Sequence, residues 1–379
     1  MKNKPLYFDY ASTTKIRQEV YEAMLPYLQE EFGNPSSLYT IGIRNKKIIN
    51  QCRKTIASLI NAESHEIYFC SGGSEANNWA IKGVAFAHPD KREIITTKIE
   101  HPSVLNSCRF LEKLGYIVTY LDVDAEGFVN LQELEDKITD NTCLVSIMTA
   151  NNEIGTIQDI QAIGEICARK GVHFHTDAIQ AISHLPIDVK QLKIDLLSFS
   201  AHKFYGPKGI GCLYISKNTK IENLIHGGNQ EREKRAGTEN VAYIVGMAKA
   251  IELSYREMYS DNVRERDLSQ LLYHKLKDAI PDMRLNGPEI GNRRLPGNLN
   301  ISFKHVDGSQ LCFELNEEGI CVSTGSACHS DMIEPSHVLQ AIKVPDDYIK
   351  GTIRITIGKD TTEEEIDKLT EAIIKRVKK

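Results

Sequence analysis

From Glu66 to Ile215 the chain alternates short apolar runs with amphipathic stretches, and this alternation restricts the fold more than any other feature. The runs EIYFC, EIITT, YIVTYLDV, CLVSIM, VHFHTD and LLSFS are each strand-length and rich in β-branched or aromatic residues. Between them lie helical spacings: one holds Trp79 and Val84, another starts at Pro102, and others lie near Leu131 and after Ile160. That pattern predicts an α/β fold, a mostly parallel sheet covered by helices. Upstream, residues 1–14 read as an extended arm, 15–31 as a helix ending before Gly33-Asn34-Pro35, and 38–60 as a second helix. A long helical pattern follows from about Val241 to Ile280. The composition changes near Pro281, and NLNISF, GICVS, TIRITI and a charged last helix from Thr362 predict a smaller α/β lobe.

At 379 residues the chain is long enough for two domains. The expected division is a large domain over 15–258 and a small one formed by 1–14 with 259–379. Forty-one per cent of residues are hydrophobic, 26% are charged and the net charge is −5, which gives no case for nucleic acid as a direct ligand. No apolar stretch is long enough for a membrane span, and MKNKPLYFDY lacks the apolar core of a signal peptide. The nine cysteines include no CxxC pair. Cys70, Cys143, Cys167 and Cys212 sit in apolar surroundings, as reduced core thiols would. A cytoplasmic location is expected.

Chemistry concentrates where the predicted strands end. In DLLSFSAHKFYGPKGIG, a buried strand gives way to Ser200-Ala201-His202-Lys203 and a glycine-rich loop. A lysine there is partly desolvated, which favours the neutral amine needed for a Schiff base. A surface lysine in a turn has the same local sequence. VHFHTDAIQ ends at Asp177, and open α/β sheets bind ligands beyond the carboxyl ends of their strands. Lys203 and Asp177 are the two groups pyridoxal phosphate requires, one for its aldehyde and one to keep the ring nitrogen protonated. As a plain helix cap, Asp177 would look no different. Ser71-Gly72-Gly73-Ser74, between strand and helix, suits a phosphate, or simply a tight turn. His101 and the Asn151-Asn152-Glu153 cluster also fall at strand ends, where a capping histidine and a turn-forming asparagine are the plain alternatives. The polar IHGGNQEREKRAGTEN loop can hold an anion or be a solvated face. In the last lobe, STGSACHSD suggests an exposed loop with Cys328 as a nucleophile, against an incidental surface thiol. Arg354 lies in an apolar strand, where an unpaired charge is costly, and a substrate carboxylate is the expected partner.

Taken together, these segments resemble the cysteine desulfurases of the class V aminotransferase fold (fold type I). The resemblance runs through LYFDYASTT, FGNPSS, SGGSEANNWAIKG, EHPSVL, NNEIGTIQDI, HTDAIQ, SFSAHKFYGPKGIG, HGGNQEREKRAGTENV, STGSACHS, EPSHVL and TIRITIG. The cysteine loop (about 323–335) followed by EPSHVL is similar to the branch serving nitrogenase and general iron–sulfur assembly. The resemblance implies that Lys203 binds pyridoxal 5′-phosphate covalently, Asp177 pairs its ring nitrogen, and His101 stacks on the ring and takes part in proton transfer. It implies that Asn152 and Gln180 touch the ring and its oxygen. Gly73, Ser74, Ser200 and His202 would bind the phosphate, with Thr238 contributed by the other subunit of a homodimer. Asn34 and Arg354 would hold the carboxylate of L-cysteine. Cys328 would take the sulfur as a persulfide, releasing alanine, and pass it to an acceptor or iron–sulfur scaffold protein. Cys328 could also ligate a transient cluster, since thiolates are the usual cluster ligands. Two positions depart from the usual pattern: His329 where threonine or serine is expected, and Gly73-Ser74 where threonine usually comes second. Selenocysteine lyase, an aminotransferase and a non-enzymatic sulfur scaffold are the competing readings.

Overall fold

The computed structural model describes residues 5–324 and 335–378. In chain order the strands are β1 (Leu6–Tyr7), β2 (Ile67–Cys70), β3 (Glu93–Thr97), β4 (Ile117–Leu121), β5 (Thr142–Ser146), β6 (His173–Asp177), β7 (Leu196–Ser200), β8 (Gly211–Ile215), β9 (Met283–Leu285), β10 (Asn298–Phe303), β11 (Ile320–Cys321) and β12 (Thr352–Thr356). Seven of them form one sheet in the order β2-β8-β7-β6-β5-β3-β4. All its neighbours are parallel except β8, which runs antiparallel to both β2 and β7. A smaller antiparallel sheet has the order β12-β10-β9.

Both faces of the large sheet are covered, which is why its strands are apolar throughout. Period-two alternation sends Leu197 and Phe199 into one core and their neighbour Leu196 into the other. Helices Thr40–Leu59, Ile160–Lys170 and the first half of Val241–Ala279 pack on the first face, and Gly73–Ala87 with Pro102–Glu112 on the second. A further core joins Phe8, Leu299, Ile301, Ile353 and Ile355 to Leu268, Leu272 and Leu276.

The helix Val241–Ala279 is 39 residues long and belongs to two cores, with Ile244 to Leu253 in one and Leu268 to Leu276 in the other. Position 258, the expected domain boundary, lies inside it. The extended arm expected at the start of the chain pairs with the far end: β1 lies parallel to β11, with Leu6 opposite Ile320 and Tyr7 opposite Cys321. The first two helices begin at Gln18 and Thr40, two or three residues later than their sequence patterns suggest. Cys70, Cys143, Cys167 and Cys212 are buried and free.

Candidate active site

The parallel strands β3, β5, β6 and β7 present their carboxyl ends to one side of the sheet, the address at which such sheets bind ligands. A cavity of about 320 Å³ lies there, lined by residues that include Gly73, Ser74, His101, Asn152, Asp177, Gln180, Ser200, His202, Lys203 and Arg354. Each follows the end of a strand or begins a helix, apart from Arg354, which comes from β12 of the small sheet.

Lys203 stands one 3₁₀ turn beyond β7. Tyr205 then takes a left-handed conformation (φ 63°), reversing the chain immediately after the lysine. The half-buried Lys203 Nζ donates to the carbonyls of Ala11 (2.5 Å) and Ser12 (2.7 Å). The N-terminal arm thus holds the amine at the cavity, and Gln180 Nε2 donates to the same Ala11 carbonyl.

Asp177, at the end of β6, is buried. Its Oδ1 accepts from the Ile179 amide (2.9 Å) and its Oδ2 from Asn77 Nδ2 (2.7 Å). Burial raises its pKa, while His101, its two hydrogen-bond donors and Lys203 act in the opposite direction. A cationic ring N–H is therefore the ligand group that would stabilise this carboxylate most. His101 caps the helix Pro102–Glu112: its Nδ1 accepts from the Ser103 amide (3.1 Å) and lies 2.8 Å from Ser103 Oγ. The histidine is thus a helix cap and also lines the cavity. Burial lowers its pKa.

The phosphate end of the cavity is a helix N-terminus. Helix Gly73–Ala87 begins at the tip of the turn after β2, leaving its first amides unpaired within the helix. A Cβ on Gly73 would come within 2.2 Å of Ile179 Cδ1, so a larger residue there would require the Ile179 side chain to move. Ser200 and His202 face the same end. His202 Nδ1 lies 3.2 Å from Thr13 Oγ1, and burial depresses its pKa to about 4, leaving a neutral ring. A helix start with two glycines, a serine and a neutral histidine at one end, a buried carboxylate in the middle and a lysine amine opposite match the phosphate, ring nitrogen and aldehyde of pyridoxal 5′-phosphate.

Arg354 needs a correction. The desolvation cost invoked from its apolar strand is met within the protein: Nη2 donates to Asp9 Oδ1 (2.8 Å) and Ser12 Oγ (3.0 Å), and Nη1 to the Asn152 carbonyl (3.0 Å). Its Nε has no hydrogen-bond partner among the described residues. Arg354 lines the cavity, but its burial alone is no evidence for a substrate carboxylate.

Two nominated residues lie elsewhere in the single chain. Asn34 is exposed, and its Oδ1 caps its own turn by accepting from the Ser36 amide. Thr238 lines a separate cavity of about 90 Å³ with Glu231 and Arg235. Glu231 forms a bidentate pair with buried Arg53, and Arg235 pairs with Glu75 in the first turn of helix Gly73–Ala87. Cys328 and His329 lie outside the described residues. Among the described residues no cluster of His, Cys, Asp and Glu is arranged to hold a metal ion.

Sequence reading missed Asn77, Ser103 and Asp9. Asn77 looks like one of two helical asparagines, yet it is fully buried and bridges Asp177 to Ser103. The one available signal was its place in the first turns of the helix that starts the Gly72-Gly73 cradle.

The class-V aminotransferase family model matches residues 6–369. A cysteine desulfurase, IscS, from Clostridium botulinum is 53% identical over 377 residues, covering 99% of this chain and 95% of that protein. A solved NifS-like protein superimposes with a TM-score of 0.93 at 38% identity, covering 99% of both chains. A structure described as SspA in complex with cysteine gives a TM-score of 0.82 at 36% identity, covering 93% of this chain and 99% of that one.

Proposed function

We propose, for a chain that belongs to the class-V aminotransferase family and within it to the cysteine desulfurases, that it takes sulfur from L-cysteine, releases L-alanine and leaves a persulfide on Cys328. The observation that carries this reading is the meeting of Lys203, Asp177, His101 and Arg354 at one cavity of about 320 Å³. Further support comes from the SspA relative, whose structure contains cysteine.

Pyridoxal 5′-phosphate, the cofactor of this family, supplies when bound an electron sink for the bonds of the substrate's α- and β-carbons. Lys203 would hold it covalently, its amine exchanging the Ala11 and Ser12 carbonyls for the cofactor. Asp177 holds the ring nitrogen in its protonated form, and the hydrogen bonds from Asn77 and Ile179 keep the carboxylate aimed. Gly73, Ser74, Ser200 and His202 bind the phosphate, and Thr238 does so from the neighbouring subunit of a homodimer. Asn152 and Gln180 would border the ring, and His101 would stack against it. Arg354 binds the substrate carboxylate, aided by Asn34, and keeps Asp9 as its second partner.

Sulfur transfer is the work of Cys328. Its thiolate attacks the sulfur of the substrate; an S–S bond forms as the C–S bond breaks. The β-carbon keeps the electron pair and takes up one proton. L-Cysteine and an enzyme thiol thus become L-alanine and an enzyme persulfide, with sulfur oxidised, carbon reduced and no external oxidant. The persulfide then passes to an acceptor protein that serves iron–sulfur assembly, with transient cluster ligation by Cys328 as a related role. A reducing cytoplasmic compartment suits a chain with free buried thiols, and no helix among the described residues is long and apolar enough to cross a membrane.

The test is Cys328→Ser. The loaded variant keeps the absorption of a lysine-bound cofactor and shifts it on adding L-cysteine, because Lys203, Asp177 and Arg354 are untouched. Alanine and persulfide do not accumulate, because a hydroxyl at neutral pH is a far weaker nucleophile than a thiolate. Wild-type turnover by this variant would remove Cys328 from the mechanism and direct attention to Cys321.

A further inference from the structure

Ser12 stands between two cationic side chains of the cavity. It lies on the N-terminal arm, in a tight turn closed by its own amide on the Asp9 carbonyl (3.0 Å), and it lines the cavity half-buried. Its backbone carbonyl accepts from Lys203 Nζ at 2.7 Å, and its hydroxyl oxygen lies 3.0 Å from Arg354 Nη2. A guanidinium has no lone pair with which to accept, so Arg354 is the donor in that contact and Ser12 Oγ the acceptor. The hydrogen of the hydroxyl must then point elsewhere, and among the described residues it reaches no acceptor.

The hydrogens of Arg354 can be followed in the same way. Both of those on Nη2 are engaged, one with Asp9 Oδ1 and one with Ser12 Oγ. One of those on Nη1 goes to the Asn152 carbonyl. The Nε hydrogen is buried and has no partner among the described residues. A carboxylate arriving from the cavity therefore finds a single hydrogen on Nη1, and not the two parallel donors with which arginine usually grips a carboxylate. To offer a second, the guanidinium would have to release Asp9 or Ser12.

We propose that the Ser12 hydroxyl supplies the missing donor, so that Ser12 is a substrate-binding residue that holds the carboxylate of L-cysteine together with Arg354. The placement suits an α-amino acid, whose amino and carboxylate groups share one carbon. Ser12 touches both the lysine beside which the amino group reacts and the arginine that receives the carboxylate. A hydroxyl that accepts from a guanidinium is polarised by it, and it donates more strongly to an anion on its other side.

The inference rests on the reading of Arg354 as the carboxylate site, and its test measures binding without turnover. The cofactor-loaded Cys328→Ser protein is titrated with L-cysteine and with cysteamine, which has the same amine and thiol but no carboxylate. The shift in cofactor absorption gives a dissociation constant for each. Adding Ser12→Ala is expected to weaken L-cysteine about 10-fold, the worth of one hydrogen bond to a charged group, and to leave cysteamine as it was. Equal weakening of both probes, or of neither, would overturn the proposal. The titrations are then repeated with Arg354→Ala present. There the loss caused by Ser12→Ala is expected to persist for L-cysteine. Its disappearance would mean that the hydroxyl only holds the guanidinium in place, and the donor role would fall. If Arg354→Ala alone bound L-cysteine as tightly as its parent, Arg354 would leave the carboxylate site and the Ser12 comparison would stand by itself.

Discussion

Arg354 carries a charge into a strand of isoleucines and threonines, and the carboxylate that makes this tolerable lies 345 positions earlier in the chain. A buried arginine without Asp9 would be destabilising by several kcal/mol. With Asp9 and the Asn152 carbonyl already satisfied, the guanidinium is fixed in orientation before any ligand arrives, which lowers the entropic cost of binding a carboxylate. Replacing it separates substrate binding from cofactor binding, because no residue of the phosphate end touches it. Arg354→Ala is expected to retain its cofactor and to raise KM for L-cysteine about 10- to 100-fold, the loss of one charged hydrogen-bonded contact. An unchanged KM in steady-state assays would remove its assigned role. At this scale Lys203, Asp177 and His101 were legible in the sequence because each directly follows a readable strand or starts a readable helix. Asn77, Ser103 and Asp9 were not. Their roles come from hydrogen bonds to residues 26 to 345 positions away, and neither periodicity nor composition encodes those pairings.

Strand β6 shows how polar groups are accommodated inside a sheet covered on both faces. His175 at its centre is fully buried, with Nδ1 2.8 Å from Ser146 Oγ on β5 and Nε2 2.9 Å from Ser198 Oγ on β7. The row ties three adjacent strands together, two of which lead into Asp177 and Lys203. Burial lowers the His175 pKa from 6.5 to about 3. Below the higher value the unfolded chain binds a proton that the folded chain does not, so this residue makes the fold less stable as pH falls. Glu100 and Glu153, raised by burial to about 8 and about 7, act in the opposite sense, losing stability as pH rises. The two effects are separated by comparing wild type with His175→Asn in denaturant unfolding at pH 7 and pH 5. Wild type should lose about 2 kcal/mol more than the variant over that interval. Equal losses would mean that His175 is charged inside the sheet. The alternation of strands and helices was readable here, whereas the reversed β8 was not. Its sequence, GCLYI, is as apolar as its parallel neighbours, and strand direction follows from the short return after Lys203.

Considered whole, the molecule gathers its cavity from both sheets, with Lys203 and Asp177 on the large one, Arg354 on the small one, and the arm at residues 9–12 between them. Thr238 lies outside this cavity, on a loop anchored by the Arg53–Glu231 and Arg235–Glu75 pairs. A subunit that lends Thr238 to its neighbour must be dimeric, so sedimentation is expected to give twice the 42.7 kDa chain mass at micromolar concentration. A fully active monomer would exclude that arrangement. The pairing of β1 with β11 has a consequence for how the chain is made. Synthesis begins at the N-terminus, yet Leu6, Phe8 and Asp9 find their long-range partners only once Gly319, Cys321, Arg354 and Thr356 have been made. The Ala11 and Ser12 carbonyls that steady Lys203 directly follow this stretch, so their setting is complete only when the far end of the chain is in place. A nascent chain arrested before residue 320 holds every strand of the large sheet but lacks β11 and Arg354, so the cavity is whole only when translation is almost over.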